Sequence, residues 1–84
     1  MGYILRINEE AAKILKKLDP GIQTRISAAI DALATDPRPS GAKKLKGSEF
    51  YRIRVGDYRI VYEIRDRQLV VLVIRIGHRK EIYR

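Results

Sequence analysis

The chain has no cysteine, no tryptophan, one histidine and three prolines among its 84 residues. The absence of cysteine excludes disulfide bonds, thiolate nucleophiles and zinc sites with cysteine ligands. A single histidine cannot build a histidine-rich metal site. We therefore expect any chemistry of this protein to proceed without a metal.

Long apolar runs are absent as well. No apolar segment approaches the roughly 20 residues that span a bilayer, and the N-terminal sequence MGYILRINEE lacks the basic and then apolar order of a signal peptide. The sequence therefore predicts a cytoplasmic protein with no membrane partner. With 84 residues and 45% apolar composition the chain can build one core, so we expect a single domain over residues 1–84.

Positive charge is what the chain has in excess, and it is concentrated in the second half. The formal net charge is +8. Residues 1–42 hold 6 Lys and Arg against 5 Asp and Glu, a net +1, whereas residues 43–84 hold 12 against 5, a net +7. Such a field attracts nucleic acid, an acidic protein or an anionic membrane, and net charge alone does not choose among them.

The first half predicts a strand and two helices. Residues 2–7 alternate like a short strand. Residues 8–18 begin with an asparagine suited to an N-cap and carry one apolar stripe, and residues 19–33 begin with an Asp-Pro pair and continue that stripe. Two prolines within residues 36–41 then break the pattern. We therefore predict an N-terminal α-hairpin.

The second half changes to a period of two from Phe50 onward, which predicts β-strands. If Gly56 and Asp57 form a two-residue turn, Arg54 lies directly opposite Arg59 in a hairpin. The later segment LVVLVIRI is apolar on both sides, as a central strand should be. The sequence thus predicts an α+β fold of order β-α-α-β-β-β, in which a small twisted antiparallel sheet packs on the α-hairpin.

Arg52, Arg54 and Arg59 fall on one face of the predicted hairpin. Burying three unpaired guanidiniums would cost more free energy than core packing returns, so we expect this face to be open to solvent or to a polyanion. The planar fork of arginine binds two phosphate oxygens at once, which favours a phosphate-binding role. The opposite face, expected to cover the helices, is formed by Tyr51, Ile53, Val55, Tyr58, Ile60, Tyr62 and Ile64.

The remaining cations of this half have a simpler expected role. Strand arginines are usually solvated, and we expect this of Arg65, Arg67 and Arg75. The run formed by Lys43, Lys44 and Lys46 is also expected to be solvated, and on an RNA surface it would add salt-sensitive affinity for the phosphate backbone.

The strings YRIRVGDYRIVYEI and LVVLVIRIGHRKEIYR, in this order and at this length, resemble the RelE branch of the RelE/ParE toxin superfamily over nearly the whole chain. The resemblance implies the toxin of a type II toxin–antitoxin pair. It implies an endoribonuclease without metal or cofactor that enters the A site of the 70S ribosome, contacts rRNA and cuts mRNA. It also implies a cognate, RelB-like antitoxin as partner. A ParE-like toxin that inhibits DNA gyrase and an RNA-binding module without turnover stay open as alternatives.

The resemblance also implies roles for individual residues of both strings. Arg59 and Arg79 match arginines expected to bind the phosphate and to stabilise the transition state, with Arg79 as the expected proton donor. Arg54 belongs to the same catalytic cluster, and Arg52 and Lys80 are expected to bind RNA phosphates.

The general base is expected to be Tyr83 or His78. RelE-type enzymes often carry lysine at the positions of Arg52 and Arg54, and lysine can lose a proton, whereas arginine stays charged. The base must take a proton from the RNA 2′-OH, which attacks the adjacent phosphorus and leaves a 2′,3′-cyclic phosphate. Tyr83 would need a lowered pKa for this step, whereas the ordinary pKa of histidine, ~6.5, already suits it.

Overall fold

The computed structural model describes residues 2–78 of the chain. The elements are β1 (Ile4–Ile7), α1 (Glu9–Lys17), α2 (Pro20–Ala32), β2 (Lys43–Lys44), β3 (Phe50–Val55), β4 (Tyr58–Arg65), a short 3-10 helix (Asp66–Gln68) and β5 (Val70–His78). The strands form one five-stranded sheet in the order β1-β5-β4-β3-β2. Within residues 2–78, no helix combines the length and the apolar composition that a membrane span requires.

The predicted α+β fold class is confirmed, and the sheet differs from the prediction in two details. The sheet is mixed, because β1 pairs with β5 in parallel while the other neighbours are antiparallel. The two-residue strand β2 adds a fifth strand at the far edge. Alternation of apolar and polar residues determines which face a side chain occupies, but it carries no information on the direction of a strand relative to a distant partner. The alternation pattern therefore could not predict that β1 is parallel to β5.

Both helices begin where the sequence predicts. The Ala11 amide donates a hydrogen bond of 2.9 Å to the Asn8 side-chain oxygen, so Asn8 is the N-cap of α1. Acidic residues occupy the first turn of α1 and lysines its last turn, which matches the helix dipole at both ends. In α2, Pro20 is the first helical residue, although the preceding Asp19 side chain makes no capping hydrogen bond.

The core lies between the two helices and one face of the sheet, which we call the inner face. The buried cluster consists of Ala11, Ile26, Ile30, Leu33, Ile53, Ile60, Tyr62, Ile64, Val71, Val73 and Ile76. Every residue of the predicted apolar face belongs to this cluster or packs against it. The fully buried Tyr62 donates its hydroxyl hydrogen to the Pro37 carbonyl oxygen over 2.8 Å, so its polar atom is satisfied.

A cluster of four polar and aromatic side chains, which we call the Arg38 clamp, ties the proline-rich loop to the sheet. Arg38 binds both carboxylate oxygens of Asp66 over 3.3 and 2.9 Å, and its Nε donates to the Tyr51 hydroxyl over 3.2 Å. Tyr3 donates to the same carboxylate over 2.8 Å. Arg38 in first place, and Tyr3 in second, lower the pKa of Asp66. The clamp joins the start of the chain, the loop, β3 and the turn after β4.

Candidate nucleic-acid interface

The hairpin of β3 and β4 sets the register of the candidate interface. Gly56 has a φ of 58°, the left-handed conformation that a two-residue turn requires and that glycine adopts without strain. Val55 consequently lies opposite Tyr58, and Arg54 lies opposite Arg59, as predicted. Arg52, Arg54 and Arg59 share the side of the sheet opposite the inner face, which we call the arginine face.

Near the β3–β4 turn, the basic residues of the arginine face form two rows across the sheet. In one row Lys43 of β2 lies opposite Arg52 of β3, and Arg52 in turn lies opposite Val61 of β4. The neighbouring row contains the Arg54 and Arg59 pair. Adjacent strands are about 4.8 Å apart, and rows on one face about 6.6 Å apart. The cations therefore occupy a patch of the size of a few nucleotides.

The expectation that all three arginines are open to solvent is wrong for two of them. Arg52 is 9% exposed and Arg59 is 4% exposed, whereas Arg54 is exposed. Both buried residues lie on interior strands, with a hydrogen-bonded strand on either side. Neither residue is without an interaction partner. Burial of an unpaired guanidinium remains costly, and the error was to assume that these side chains would be unpaired.

The structure places His78 away from the arginine face. His78 lies opposite Tyr58, and the two rings meet edge to face with centroids 5.5 Å apart and an interplanar angle of 80°. Tyr58 packs against the core, so this pair is on the inner side of the sheet. There His78 lines a cleft of about 310 Å³ together with Ile22 and Arg25 of α2. Within residues 2–78, His78 and Arg59 therefore lie on opposite faces of the sheet.

The three predicted lysines are all exposed, and their positions differ. Lys43 and Lys44 form β2, and Lys46 lies in the turn that follows. Lys43 lies opposite Arg52 and therefore shares the arginine face, whereas Lys44 lies opposite Tyr51 and belongs to the inner side. Register thus assigns only Lys43 of these lysines to the arginine patch.

Other predicted residues lie beyond this patch. Arg79, Lys80 and Tyr83 fall outside the described residues, so their roles stay predictions. Within residues 2–78 no group of histidine, cysteine and acidic side chains is arranged to hold a metal ion. Glu63 lies further along the arginine face, and its carboxylate pairs with Arg65 over 2.8 Å.

In the described part of the chain, three basic residues of this face were not among the predicted site residues: Arg6, Arg65 and Arg75. Register places Arg6 opposite Leu72, in the row of Glu63, and Arg65 two residues beyond Glu63 on β4. Arg75 of β5 lies opposite Val61, which places it in the row of Lys43 and Arg52. It is exposed, as expected of a solvated arginine. Its place on this face depends on an irregularity in the pairing of β4 and β5, and no local sequence signal reveals that irregularity.

Comparison with known proteins identifies the family. A family model described as the ParE toxin of the type II toxin–antitoxin system parDE matches residues 5–83. The mRNA interferase toxin RelE of Escherichia coli is 33% identical over 88 residues, which cover 99% of this chain and 92% of that protein. Toxin RelG of Mycobacterium tuberculosis is also 33% identical, over 100% of this chain and 99% of that protein.

Solved structures agree with this result. Superposition on the archaeal RelE–RelB complex from Pyrococcus horikoshii gives a TM-score of 0.85 at 28% identity, covering 94% of this chain and 97% of that chain. For the intact E. coli RelBE toxin–antitoxin complex the TM-score is 0.80 at 30% identity, covering 90% and 95%. Homologues have thus been crystallised in complex with RelB antitoxins. The chain belongs to the RelE/ParE toxin superfamily and is a RelE-like toxin of a type II toxin–antitoxin system.

Proposed function

We propose that this toxin is an endoribonuclease that cuts mRNA in the ribosomal A site and so inhibits translation. The observation that supports this most is the arginine face, where Arg52, Arg54 and Arg59 meet in two adjacent rows of one small sheet. The similarity to the mRNA interferase RelE over nearly the whole chain supports the same function.

To cut RNA in this way, the protein must position the strand and stabilise negative charge, because the RNA supplies its own nucleophile. The 2′-OH of the RNA attacks the adjacent phosphorus while the bond to the 5′ oxygen breaks. Negative charge then accumulates on the phosphate oxygens, and fixed cations nearby stabilise it. Arg59 is 4% exposed, so its interactions are less screened by water than those of a surface arginine. Arg54, directly opposite and exposed, can reach a phosphate from solvent.

For proton transfer we favour Tyr83 over His78 as the general base. His78 lies on the inner side of the sheet in contact with Tyr58, away from the arginine face. A tyrosine near several arginines would have a lowered pKa, because the cations stabilise its phenolate. In this scheme Tyr83 accepts the proton of the 2′-OH, and Arg79 donates the proton that the leaving 5′ oxygen takes up.

We further propose that a RelB-like antitoxin neutralises the toxin by covering its basic half. Residues 43–84 carry a net charge of +7, which would attract an acidic segment. A partly disordered acidic segment can fold onto a broad surface of this kind when it binds. The expected partners in the active state are the 70S ribosome, its rRNA and the mRNA.

The experiment is a cleavage assay on stalled ribosome–mRNA complexes, with naked mRNA as the control and mapping of the new 5′ ends. We expect cuts at A-site codons only when ribosomes are present. Arg79→Ala should lower cleavage by about 100-fold or more if Arg79 stabilises the transition state. Absence of cuts in both samples, from protein shown to be folded, would contradict the proposal.

Inhibition of DNA gyrase is the second candidate, and the match of the ParE family model to residues 5–83 favours it. The same preparation should therefore be added to a gyrase supercoiling assay. Inhibition of supercoiling by a protein that leaves ribosome-bound mRNA intact would select this alternative. Binding of RNA without cleavage and without gyrase inhibition would instead indicate an RNA-binding module.

A further inference from the structure

Strand β5 contains a bulge at Ile74. Val61 of β4 pairs with Arg75, but the next residue of β4, Tyr62, pairs with Val73. Between these two pairs, β5 advances by two residues while β4 advances by one. Ile74 is therefore an extra residue in β5. A bulge of this kind changes which face the following side chains occupy.

The bulge exchanges the faces of the last residues of β5. Val73 is fully buried on the inner face, so regular alternation would also direct Arg75 toward the helices. The observed order is the reverse. Ile76 is 1% exposed and lies opposite the buried Ile60, while Arg75 is exposed on the other side. The insertion of one residue therefore moves a cation from the core side to the arginine face.

Arg54 and Arg75 then stand on either side of Arg59. Arg54 is its direct neighbour on β3, and Arg75 is its diagonal neighbour on β5, two residues before the Gly77 that lies opposite Arg59. Strands β3 and β5 are separated by two strand spacings, about 10 Å. Two arginine side chains based at that distance can each reach a phosphate of a single strand that passes over Arg59.

The four arginines in the two rows around Arg59 differ in availability. Arg52 and Arg59 are buried and have partners, whereas Arg54 and Arg75 are exposed. Among residues 2–78, neither Arg54 nor Arg75 forms an ion pair. An exposed arginine without a carboxylate partner can contact an incoming phosphate without first breaking a salt bridge.

We propose that Arg75 is a further RNA-phosphate-binding residue, placed on the arginine face by the Ile74 bulge. The inference deepens the proposed function and rests on it, because it assigns Arg75 to the strand of RNA that the toxin cuts. Arg75 holds the phosphate beside the one at which the reaction occurs and positions the strand. It takes no part in proton transfer.

The test compares Arg75→Ala with Arg67→Ala. Both variants lose one positive charge from an exposed arginine, but Arg67 lies in the 3-10 helix after β4, at the opposite end of that strand from Arg59. Binding of a 12-nucleotide single-stranded RNA is measured over a series of salt concentrations at low ionic strength. We expect Arg75→Ala to weaken binding about five- to tenfold and to reduce the slope of log K against log [salt] by about 0.7, the loss of one phosphate contact. Arg67→Ala should change neither quantity by a comparable amount.

A lysine variant and a cleavage measurement complete the test. Arg75→Lys keeps the charge and should restore the salt slope. In the ribosome cleavage assay, Arg75→Ala should raise the KM of cleavage more than it lowers kcat, because a positioning contact acts on both the bound and the reacting strand.

Equal affinity and equal salt slopes for Arg75→Ala and Arg67→Ala would overturn the inference, as would a wild-type protein that fails to bind the oligonucleotide at low salt. The proposed function is judged separately by whether the wild-type protein cuts ribosome-bound mRNA. The two failures are therefore distinguishable.

Discussion

The two faces of the sheet use the same alternation of residues for opposite purposes. On the inner face, Ile53, Ile60 and Tyr62 lose contact with water and pack against the helices, which stabilises the fold. On the arginine face, the alternate positions of the same strands carry cations whose mutual repulsion opposes folding, as at the Arg54 and Arg59 pair. The residues that stabilise the fold and those proposed to act on RNA therefore lie on opposite faces of one sheet. Substitutions on one face should therefore affect one property much more than the other.

The largest effect is expected on the inner face, from Tyr62→Ala. Tyr62 is fully buried, stacks on Tyr51 with ring centroids 6.0 Å apart, and donates to the Pro37 carbonyl. Loss of a buried aromatic side chain should lower the free energy of unfolding by about 3–5 kcal/mol. Urea denaturation measures this change, and cleavage per folded molecule should stay close to that of the wild type.

Tyr62→Phe is the matched control, because it removes only the hydroxyl. Burial raises the pKa of Tyr62 to about 12, so at neutral pH the group is a protonated donor. Its loss leaves the Pro37 carbonyl without this donor and should cost about 1–2 kcal/mol. If Phe costs as much as Ala, the hydrogen bond and not the packing dominates at this position.

On the arginine face the corresponding change is Arg59→Ala. If Arg59 stabilises the charge of the transition state, cleavage should fall about 100-fold. Arg59 is also buried and has a partner, so the melting temperature has to be measured in parallel. Arg59→Lys keeps the charge without the planar fork and should recover part of the activity. Full activity in a folded Arg59→Ala protein would contradict the proposed role.

Much of this two-faced arrangement was predictable from sequence, because it depends on local signals. The Gly56 and Asp57 turn sets the hairpin register, and the register assigns every residue of β3 and β4 to a face. The capping residue Asn8 and the helix-starting Pro20 similarly mark the two helices. Such features involve residues within a few positions of each other, where residue type restricts geometry strongly.

The features that were missed depend on distant parts of the chain. The direction of β1 depends on its pairing with β5, some 65 residues later, and the bulge at Ile74 depends on how β5 fits β4. The burial of Arg52 and Arg59 depends on partners that no spacing rule reveals. For the candidate site, alternation grouped the hairpin arginines correctly, but it could not show that His78 lies on the other side of the sheet or that Arg75 joins the arginines.

A smaller effect is expected at the turn that both faces share. Gly56→Ala would place a side chain at a φ of 58°, and the added Cβ would meet only the tip of Arg25 at 3.7 Å. The cost is therefore backbone strain without a clash, about 1–2 kcal/mol. Gly56→Asn should cost less, since asparagine tolerates this conformation better. Urea denaturation of both variants checks the order, and equal costs for Ala and Asn would contradict the explanation by strain.

The smallest effect concerns the Arg38 clamp, which holds the loop against the inner side. Arg38 lowers the pKa of Asp66, so the folded state favours the carboxylate more than the unfolded chain does. The stabilisation is therefore present above the unfolded pKa of aspartate, about 3.9, and is lost as the pH falls through the lower folded pKa. Asp66→Asn should be slightly less stable than the wild type at pH 7, and the difference should disappear at strongly acidic pH. Because the pair is exposed, 1 M salt at pH 7 should also reduce the difference. A difference that persists in strong acid would show that the carboxylate charge of Asp66 is not what stabilises the loop.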